Sequence, residues 1–346
     1  MAKAPKIMVF RFSALGDIAL LVPVFRALFK TYPQLQLILV SRPFVQPIFE
    51  EFDRLSFVPM DPEEVKGIRG IFRFYKQLRR LRPTAVADLH SVLRTHLLRL
   101  LFQFSGTSVQ KINKGRTAKK QLTRPQNKRW MPLQHTVFRY ADVFFRLGWP
   151  VEVPQQQEPQ NLPLPENLPE ALQLSKQPWI GIAPFASFPG KCYPLDALQK
   201  VMAYLAQNHQ LLLFGAGPQE LSQMEVWAKA YPNVFNICKD LNFKQQLQLI
   251  SHLDLMIAMD SANGHLAANS GVFVLSLWGL THPYAGFAPF GQGHQNLTAD
   301  REKFPQIPTS VYGNKMPAGY ENAFRTIAPQ VVIEKALEML RDQTSS

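Results

Sequence analysis

The stretch Lys6-Ile7-Met8-Val9-Phe10-Arg11-Phe12-Ser13-Ala14-Leu15-Gly16-Asp17 decides the fold class of this 346-residue chain. Lys6–Phe12 is a short apolar run rich in β-type residues and predicts a strand. Apolar residues at helical spacing follow over Ile18–Tyr32, so a glycine-bearing turn joins a strand to a helix.

The same rhythm extends outward. Strands are predicted at Leu35–Val40 and Thr84–Leu89, and helices at Glu64–Leu81, Ser91–Phe104 and Gln134–Leu147. A second series has strands at Trp179–Ala183, Gln210–Phe214, Leu253–Met259 and Val272–Leu277, with helices at Leu195–Asn208, Gln219–Ala230 and Phe243–Ser251. Strands alternating with helices imply parallel sheets covered on both faces. The expected fold is therefore α/β, with two doubly wound domains whose ligand crevices lie at the carboxyl ends of their strands. The first domain spans 1–150. Residues 151–178, with Pro154, Pro159, Pro163, Pro165, Pro169 and Pro178, read as a semi-rigid connector. The second domain spans 179–327, and 328–346 form a closing helix, Ala328–Leu340, and a tail.

Charge is distributed unevenly. Residues 1–150 carry 26 basic and 9 acidic side chains, and residues 151–346 carry 12 and 16. Within 66–129 there are 17 Lys and Arg and a single acid, Asp88. The first half should therefore meet something anionic. With only Cys192 and Cys238, neither a disulfide framework nor a thiolate metal cluster is expected. Lys3, Lys6 and Arg11 interrupt the start, and no apolar run approaches the length of a spanning helix. The expected location is cytoplasmic, with peripheral contact at the inner face of the membrane.

The chemistry-bearing motifs follow strands. Asp17 sits at the mouth of a helix, where it reads either as an N-cap or as a carboxylate held for general-base work. After Trp179–Ala183, Ser187 and Lys191 suit a pyrophosphate, although Phe185 and Cys192 break the Walker spacing. Asp260-Ser261-Ala262-Asn263-Gly264-His265 stands between a strand and a helix. There Ser261 and the first amides form either an anion site or a capping turn with His265 packed in the helix. Gly215-Ala216-Gly217-Pro218-Gln219-Glu220 departs from the dinucleotide fingerprint, because Glu220 occupies the third glycine position and could instead bind a ribose hydroxyl. No Gly-x-Ser-x-Gly, His-Glu-x-x-His or Asp-x-Asp motif occurs.

Taken in order, these pieces resemble the ADP-heptose:lipopolysaccharide heptosyltransferases of glycosyltransferase family 9. Ser13-Ala14-Leu15-Gly16-Asp17 is similar to the family's Ser-x-x-Gly-Asp start, and Asp88-Leu89-His90-Ser91-Val92-Leu93-Arg94 to its Asp-Leu-Gln-Gly-type segment. His135 to Arg139-Tyr140 resembles its His-x-x-x-Arg-Tyr helix, and Ser187 and Lys191 before Tyr193-Pro194 its phosphate loop. Asp260-Ser261 to His265-Leu266-Ala267-Ala268 is similar to Asp-Thr-Gly-x-x-His-Leu-Ala-Ala, with Ala262 where the family has Gly. The resemblance implies a GT-B architecture, two Rossmann-like domains facing across a cleft, with acceptor binding by the first and nucleotide-sugar binding by the second. It also implies inversion without a cofactor or an essential metal, Asp17 being the base. Donor contacts would come from Ser13, Gly16, Ser187, Lys191, Glu220, Leu241, Asp260, Ser261, Ala262 and His265.

The basic half then faces an anionic glycolipid acceptor, with Lys66, Arg69, Arg94 and His135 as candidate contacts. Lys66, Arg69, Arg73, Lys76 and Arg80 share one helical face, and Val65, Ile68, Ile71, Phe72, Tyr75 and Leu78 occupy the adjoining arc. That face reads either as an ordinary solvated surface or as one that meets anionic headgroups. Lys111, Lys114, Arg116, Lys119, Lys120, Arg124, Lys128 and Arg129 read as a mobile basic loop. Transfer to another surface glycan, a nucleotide-sugar epimerase or hydrolase, and a nucleic-acid-binding protein are the competing readings; no nucleic-acid module supports the last.

Overall fold

A computed structural model describes residues 4–173 and 176–344. Met1–Lys3 at the start, Leu174 and Ser175 of the expected connector, and Ser345 and Ser346 of the expected tail lie outside the described residues. The chain divides into two compact units, Met1–Lys114 with Thr136–Pro154, and Gly115–His135 with Gln155–Ser346.

In the first unit, β1 (Lys6–Phe10), β2 (Gln36–Ser41), β3 (Leu55–Pro59), β4 (Ala85–Asp88) and β5 (Ser108–Lys111) form an all-parallel sheet in the order β3-β2-β1-β4-β5. β1 is central. Ile7, Met8, Val9 and Phe10 are all fully buried, because a strand covered on both faces has no wet side on which to place a polar residue. The helices are α1 (Leu15–Ala19), α2 (Val22–Thr31), α3 (Gly67–Arg79), α4 (Leu93–Phe104) and α6 (Thr136–Arg146). One face of the sheet packs Met8, Phe10, Ile38 and Val86 against Phe74, Leu78 and Phe102 of α3 and α4. The single helix expected over Ile18–Tyr32 is two. Pro23 lacks an N–H and its ring crowds the carbonyl four residues back, so the helix stops after Ala19 and restarts with Pro23 in its first turn.

The second unit contains α5 (Arg116–Thr123), α7 (Glu170–Gln173), β6 (Trp179–Ala183), α8 (Leu195–Leu205), β7 (Gln210–Leu213), α9 (Pro218–Ala230), β8 (Val234–Asn236), α10 (Phe243–Ile250), β9 (Leu255–Met259), α11 (Ala262–Asn269), β10 (Phe273–Trp278), β11 (Asn296–Thr298) and α12 (Pro329–Thr344). Its six strands are again all parallel, in the order β11-β10-β9-β6-β7-β8. Ile180, Ile182, Leu255 and Ile257 of the sheet pack with Leu198 and Val201 of α8 and with Val332 and Ala336 of α12.

Two expectations are corrected here. The basic stretch read as a mobile loop is regular in part, with β5 ending at Lys111 and α5 covering Arg116–Thr123 before an irregular run over 124–135, and its Gly115–His135 portion packs with the second unit. Trp130 meets His282 edge-on and Tyr284 at a tilt, Arg301 lies 3.3 Å over the Trp130 ring, and Lys128 Nζ donates to the carbonyls of Leu122 and Pro308. The expected boundary at residue 150 therefore does not coincide with the division by packing. The proline-rich connector is also tied to its neighbours. Gln160 N–H donates to Ser270 O, Leu162 N–H donates to Ser251 Oγ, and Gln155 onward packs with the second unit.

Candidate active site

An open parallel sheet presents its ligand crevice where strand order reverses. In the first unit that point lies between β1 and β4. Asp17 stands in the first turn of α1, but Ala14 occupies the N-cap position and no side chain caps the helix. The capping reading of Asp17 therefore fails. Its carboxylate instead pairs with Arg11 Nη2 at 2.5 Å. Arg11 is itself fixed by donating from Nη1 to Leu89 O at 2.7 Å, a carbonyl just beyond β4. The Arg11 side chain is 7% exposed and that of Asp17 25%, so the carboxylate is the accessible member. Tyr140 of α6 holds the other side of the turn, its hydroxyl donating to Asp17 O at 3.1 Å. Burial pushes the Tyr140 phenol up, which keeps that donor protonated.

The β4 end is built by Asp88. Its fully buried carboxylate pairs with Arg99 at 3.2 Å and accepts from the N–H groups of His90 and Ser91. This fixes His90 beside Phe12 and Ser13. Burial, followed by the positive charge of Arg11, lowers the His90 pKa to about 3, so the ring is neutral at neutral pH. Its Nδ1 accepts from Phe12 N–H at 3.4 Å, which leaves the proton on Nε2, 3.4 Å from Ser13 Oγ.

The second unit's reversal point lies between β6 and β9. Lys191, in the short turn Pro189–Lys191 after β6, places Nζ 2.8 Å from the carboxylate of Asp260, which follows β9. The burial order is opposite to that of the first unit: Asp260 is 9% exposed and Lys191 15%. The Lys191 stem runs against Gly313, where a Cβ would stand 2.5 Å from Lys191 Cγ; that glycine also has φ +74°, so only glycine suits the position. Leu280 N–H donates to Gly190 O at 2.8 Å and holds the turn from behind.

Ser261 is the N-cap residue of α11, yet its hydroxyl makes no capping bond; it is buried and has no hydrogen-bond partner among the described residues. Buried hydroxyls are ordinarily satisfied. This one is aligned with the start of an eight-residue helix, where the dipole and the first amides favour an anion. Ala262 opens α11, and His265 is buried within it.

The remaining expected residues fall into place unevenly. Ser187 is exposed in the turn before Lys191. Glu220 turns back to accept from Ala216 N–H at 2.8 Å in the first turn of α9, which engages one of its two carboxylate oxygens. Leu241 is buried in the wall of a cavity of about 280 Å³ with Ile237 and Val234. Ser13 and Gly16, expected among the donor contacts, belong to the first unit with Asp17, whereas the other donor candidates belong to the second. Lys66 is exposed at the start of α3, 3.5 Å from Glu63; Arg69 is exposed on α3, and Arg94 lies in the first turn of α4. His135, expected with them, belongs to the second unit, where Nε2 lies 2.7 Å from Ala288 O. Arg11, Tyr140, Asp88 and Gly313 do positioning work to which sequence spacing assigned no role. Arg11 reaches Leu89, Tyr140 reaches Asp17 and Gly313 meets Lys191 across separations that only folding closes, whereas Asp88 acts on neighbours two, three and eleven residues on.

Comparison with known proteins accords with this geometry. The model of glycosyltransferase family 9 (heptosyltransferase) matches residues 71–315. The lipopolysaccharide core heptosyltransferase OpsX of Haemophilus influenzae is 23% identical over 98% of this chain and 97% of its own. Lipooligosaccharide heptosyltransferase 2 of Campylobacter jejuni is 27% identical over 47% of this chain and 51% of its own. Among solved structures, a family 9 glycosyltransferase from Veillonella parvula superposes with TM-score 0.73 at 17% identity, covering 99% of each chain. E. coli heptosyltransferase WaaC with ADP gives 0.69 at 14%, covering 96% of this chain and 99% of its own. The fold is that of the GT-B enzymes, with two α/β units each built on a parallel sheet.

Proposed function

The chain belongs to glycosyltransferase family 9 and is a glycosyltransferase, and from that premise we propose that it moves a heptose-like sugar from ADP-heptose to the core of an anionic lipopolysaccharide or lipooligosaccharide acceptor. The observation that carries this reading is the Asp17 carboxylate, held against Arg11 at the β1–β4 reversal point with its own oxygens the more accessible of the pair. Asp17 takes the proton of the acceptor hydroxyl as its oxygen bonds to the anomeric carbon. The bond from that carbon to the diphosphate oxygen breaks, and the configuration inverts in one displacement. Negative charge then grows on the diphosphate. Lys191, the Ser261 hydroxyl and the first amides of α11 offer positive charge and donors to it without a metal. Glu220 retains one carboxylate oxygen for a ribose hydroxyl, and Leu241 offers an apolar wall for the base.

The lipid-linked acceptor is assigned to the basic first half, with Lys66, Arg69 and Arg94 on its phosphates and His135 contributing from its own unit. This requires the enzyme to work at the inner face of the membrane, and among the described residues no helix is long and apolar enough to cross one. The test is product analysis with ADP-heptose, UDP-, GDP- and CMP-sugars, each with and without a lipid-linked acceptor. Acceptor-dependent heptose transfer from the ADP-sugar is the expected result. Sugar release without acceptor would mean a hydrolase or epimerase, and turnover of another donor alone would reassign the sugar.

A further inference from the structure

α3 carries apolar side chains where an ordinary sheet-covering helix carries none. Ile71, Phe74, Tyr75 and Leu78 pack inward as amphipathic spacing requires. Ile68 and Phe72, one turn apart and expected to share that apolar arc, instead face solvent at 81% and 45% exposure. Phe104, at the end of α4, is 87% exposed. These residues do not stand on a neutral surface. Phe72 and Phe104 border a groove of about 870 Å³ whose rim is set by Lys76, Arg79, Arg80 and Arg82. Lys76 Nζ lies 4.8 Å over the Phe72 ring, so cation and apolar group adjoin. Between Val65 and Ala141 the only acid is Asp88, which is buried and paired with Arg99.

We infer that this α3–α4 groove is the surface by which the protein sits on a bilayer containing anionic lipid. The inference rests on the acceptor being lipid-linked and adds to it the face that approaches the membrane. The physical case is one of joint complementarity. Four cations around a groove match a layer of phosphates, and each adds about 1 kcal/mol, or about five-fold, to binding at such a surface. Ile68, Phe72 and Phe104 gain nothing from phosphate alone but gain on entering the boundary between headgroups and acyl chains. Long Arg and Lys stems let the charges remain at headgroup level while the rings sit deeper. A nucleic acid would use the same cations and could stack on the rings, but Ile68 has no π face to offer and stands further into solvent than Phe72.

The test uses the full chain in vesicle flotation, with phosphatidylcholine alone and with phosphatidylcholine–phosphatidylglycerol mixtures. Flotation only with the mixture, weakening as salt rises, is expected. Arg79→Gln, Arg80→Gln and Arg82→Gln combined should lower the partition about a hundred-fold. Phe72→Ser with Phe104→Ser should lower it about ten-fold or more. All these side chains are exposed, so unchanged unfolding midpoints show that folding is intact, and turnover on an acyl-free soluble acceptor should stay at the parental rate. Equal flotation of parent and variants overturns the proposal. So does a parallel loss of turnover on the soluble acceptor, which would make the groove part of the acceptor site, and so does tighter binding to a short oligonucleotide than to the mixed vesicles. Flotation by a protein that transfers no heptose to the lipid-linked acceptor would leave this surface standing and defeat the proposed function; transfer without flotation would do the reverse.

Discussion

The two units solve one problem with opposite polarity. Each has a parallel sheet whose strand order reverses near its middle, and each sets an ion pair at the carboxyl end of the strands flanking that reversal. In the first unit the cation is the deeper member and the carboxylate the more exposed, Arg11 beneath Asp17. In the second the carboxylate is deeper and the cation outermost, Asp260 beneath Lys191. The buried partner fixes the geometry, while the accessible one determines what can be bound. A carboxylate on offer suits proton removal; an ammonium on offer suits a diphosphate. On the proposed function, one architecture offers two chemistries according to which residue of the pair is placed on the outside.

Substitutions separate these roles, and the largest effect is expected at the accessible carboxylate. Asp17→Asn should lower turnover about 10²–10⁴-fold while nucleotide-sugar affinity, measured by calorimetry, is retained. Undiminished turnover would leave the first pair without a chemical role. Next is the buried pair at the end of β4. Asp88→Ala leaves the buried Arg99 without its carboxylate, with His96 as its remaining partner, and frees the N–H groups of His90 and Ser91, at a cost of about 3–5 kcal/mol in denaturant unfolding. A loss under 1 kcal/mol, the range of exposed pairs, would show that burial does not decide the strength of this pair.

On the other side of the comparison, Lys191→Ala should weaken nucleotide-sugar binding about 10- to 100-fold, the size of a lost charge-assisted bond. Unchanged affinity would break the symmetry of the two sites. Ser261→Ala is the sharper probe. Its hydroxyl has no partner to lose, so stability should hold or rise slightly, while nucleotide affinity drops about three- to ten-fold. Reduced stability with unchanged affinity would return Ser261 to an ordinary turn.

The remaining variable is pH. Each unit keeps a histidine neutral by burial, His90 lowered to about 3 and His282 to about 4. Because His90 takes up a proton near 6.5 in the unfolded chain but only near 3 when folded, its contribution is present above 6.5 and is lost as pH falls towards 3. His90→Gln should therefore flatten the acid-side decline of unfolding free energy, and a decline of unchanged steepness would assign it to other groups.

Much of the candidate site was legible as motifs, since Asp17, Lys191, Asp260 and Ser261 all follow strands that the sequence displays. What spacing could not show was how they are held. Arg11 reaches Leu89, Tyr140 reaches Asp17 and Lys191 reaches Gly313 across separations that no local pattern encodes. Nor could a helical wheel tell that Ile68 and Phe72 face water, because the width of a buried stripe depends on what the helix packs against.

The strands draw the same boundary. By itself the sequence determined β1, β2, β4, β6, β7, β9 and β10, the α/β class and the strand-end motifs. Those strands lie inside their sheets, and coverage on both faces forces continuous apolar runs. Only the tertiary structure decided β3, β5, β8 and β11, which are the four sheet edges: short, partly wet strands that need no apolar run to pair. It also decided that Gly115–His135 packs with the second unit. Burial writes itself into composition, whereas pairing partners are chosen by contacts between residues far apart in the chain.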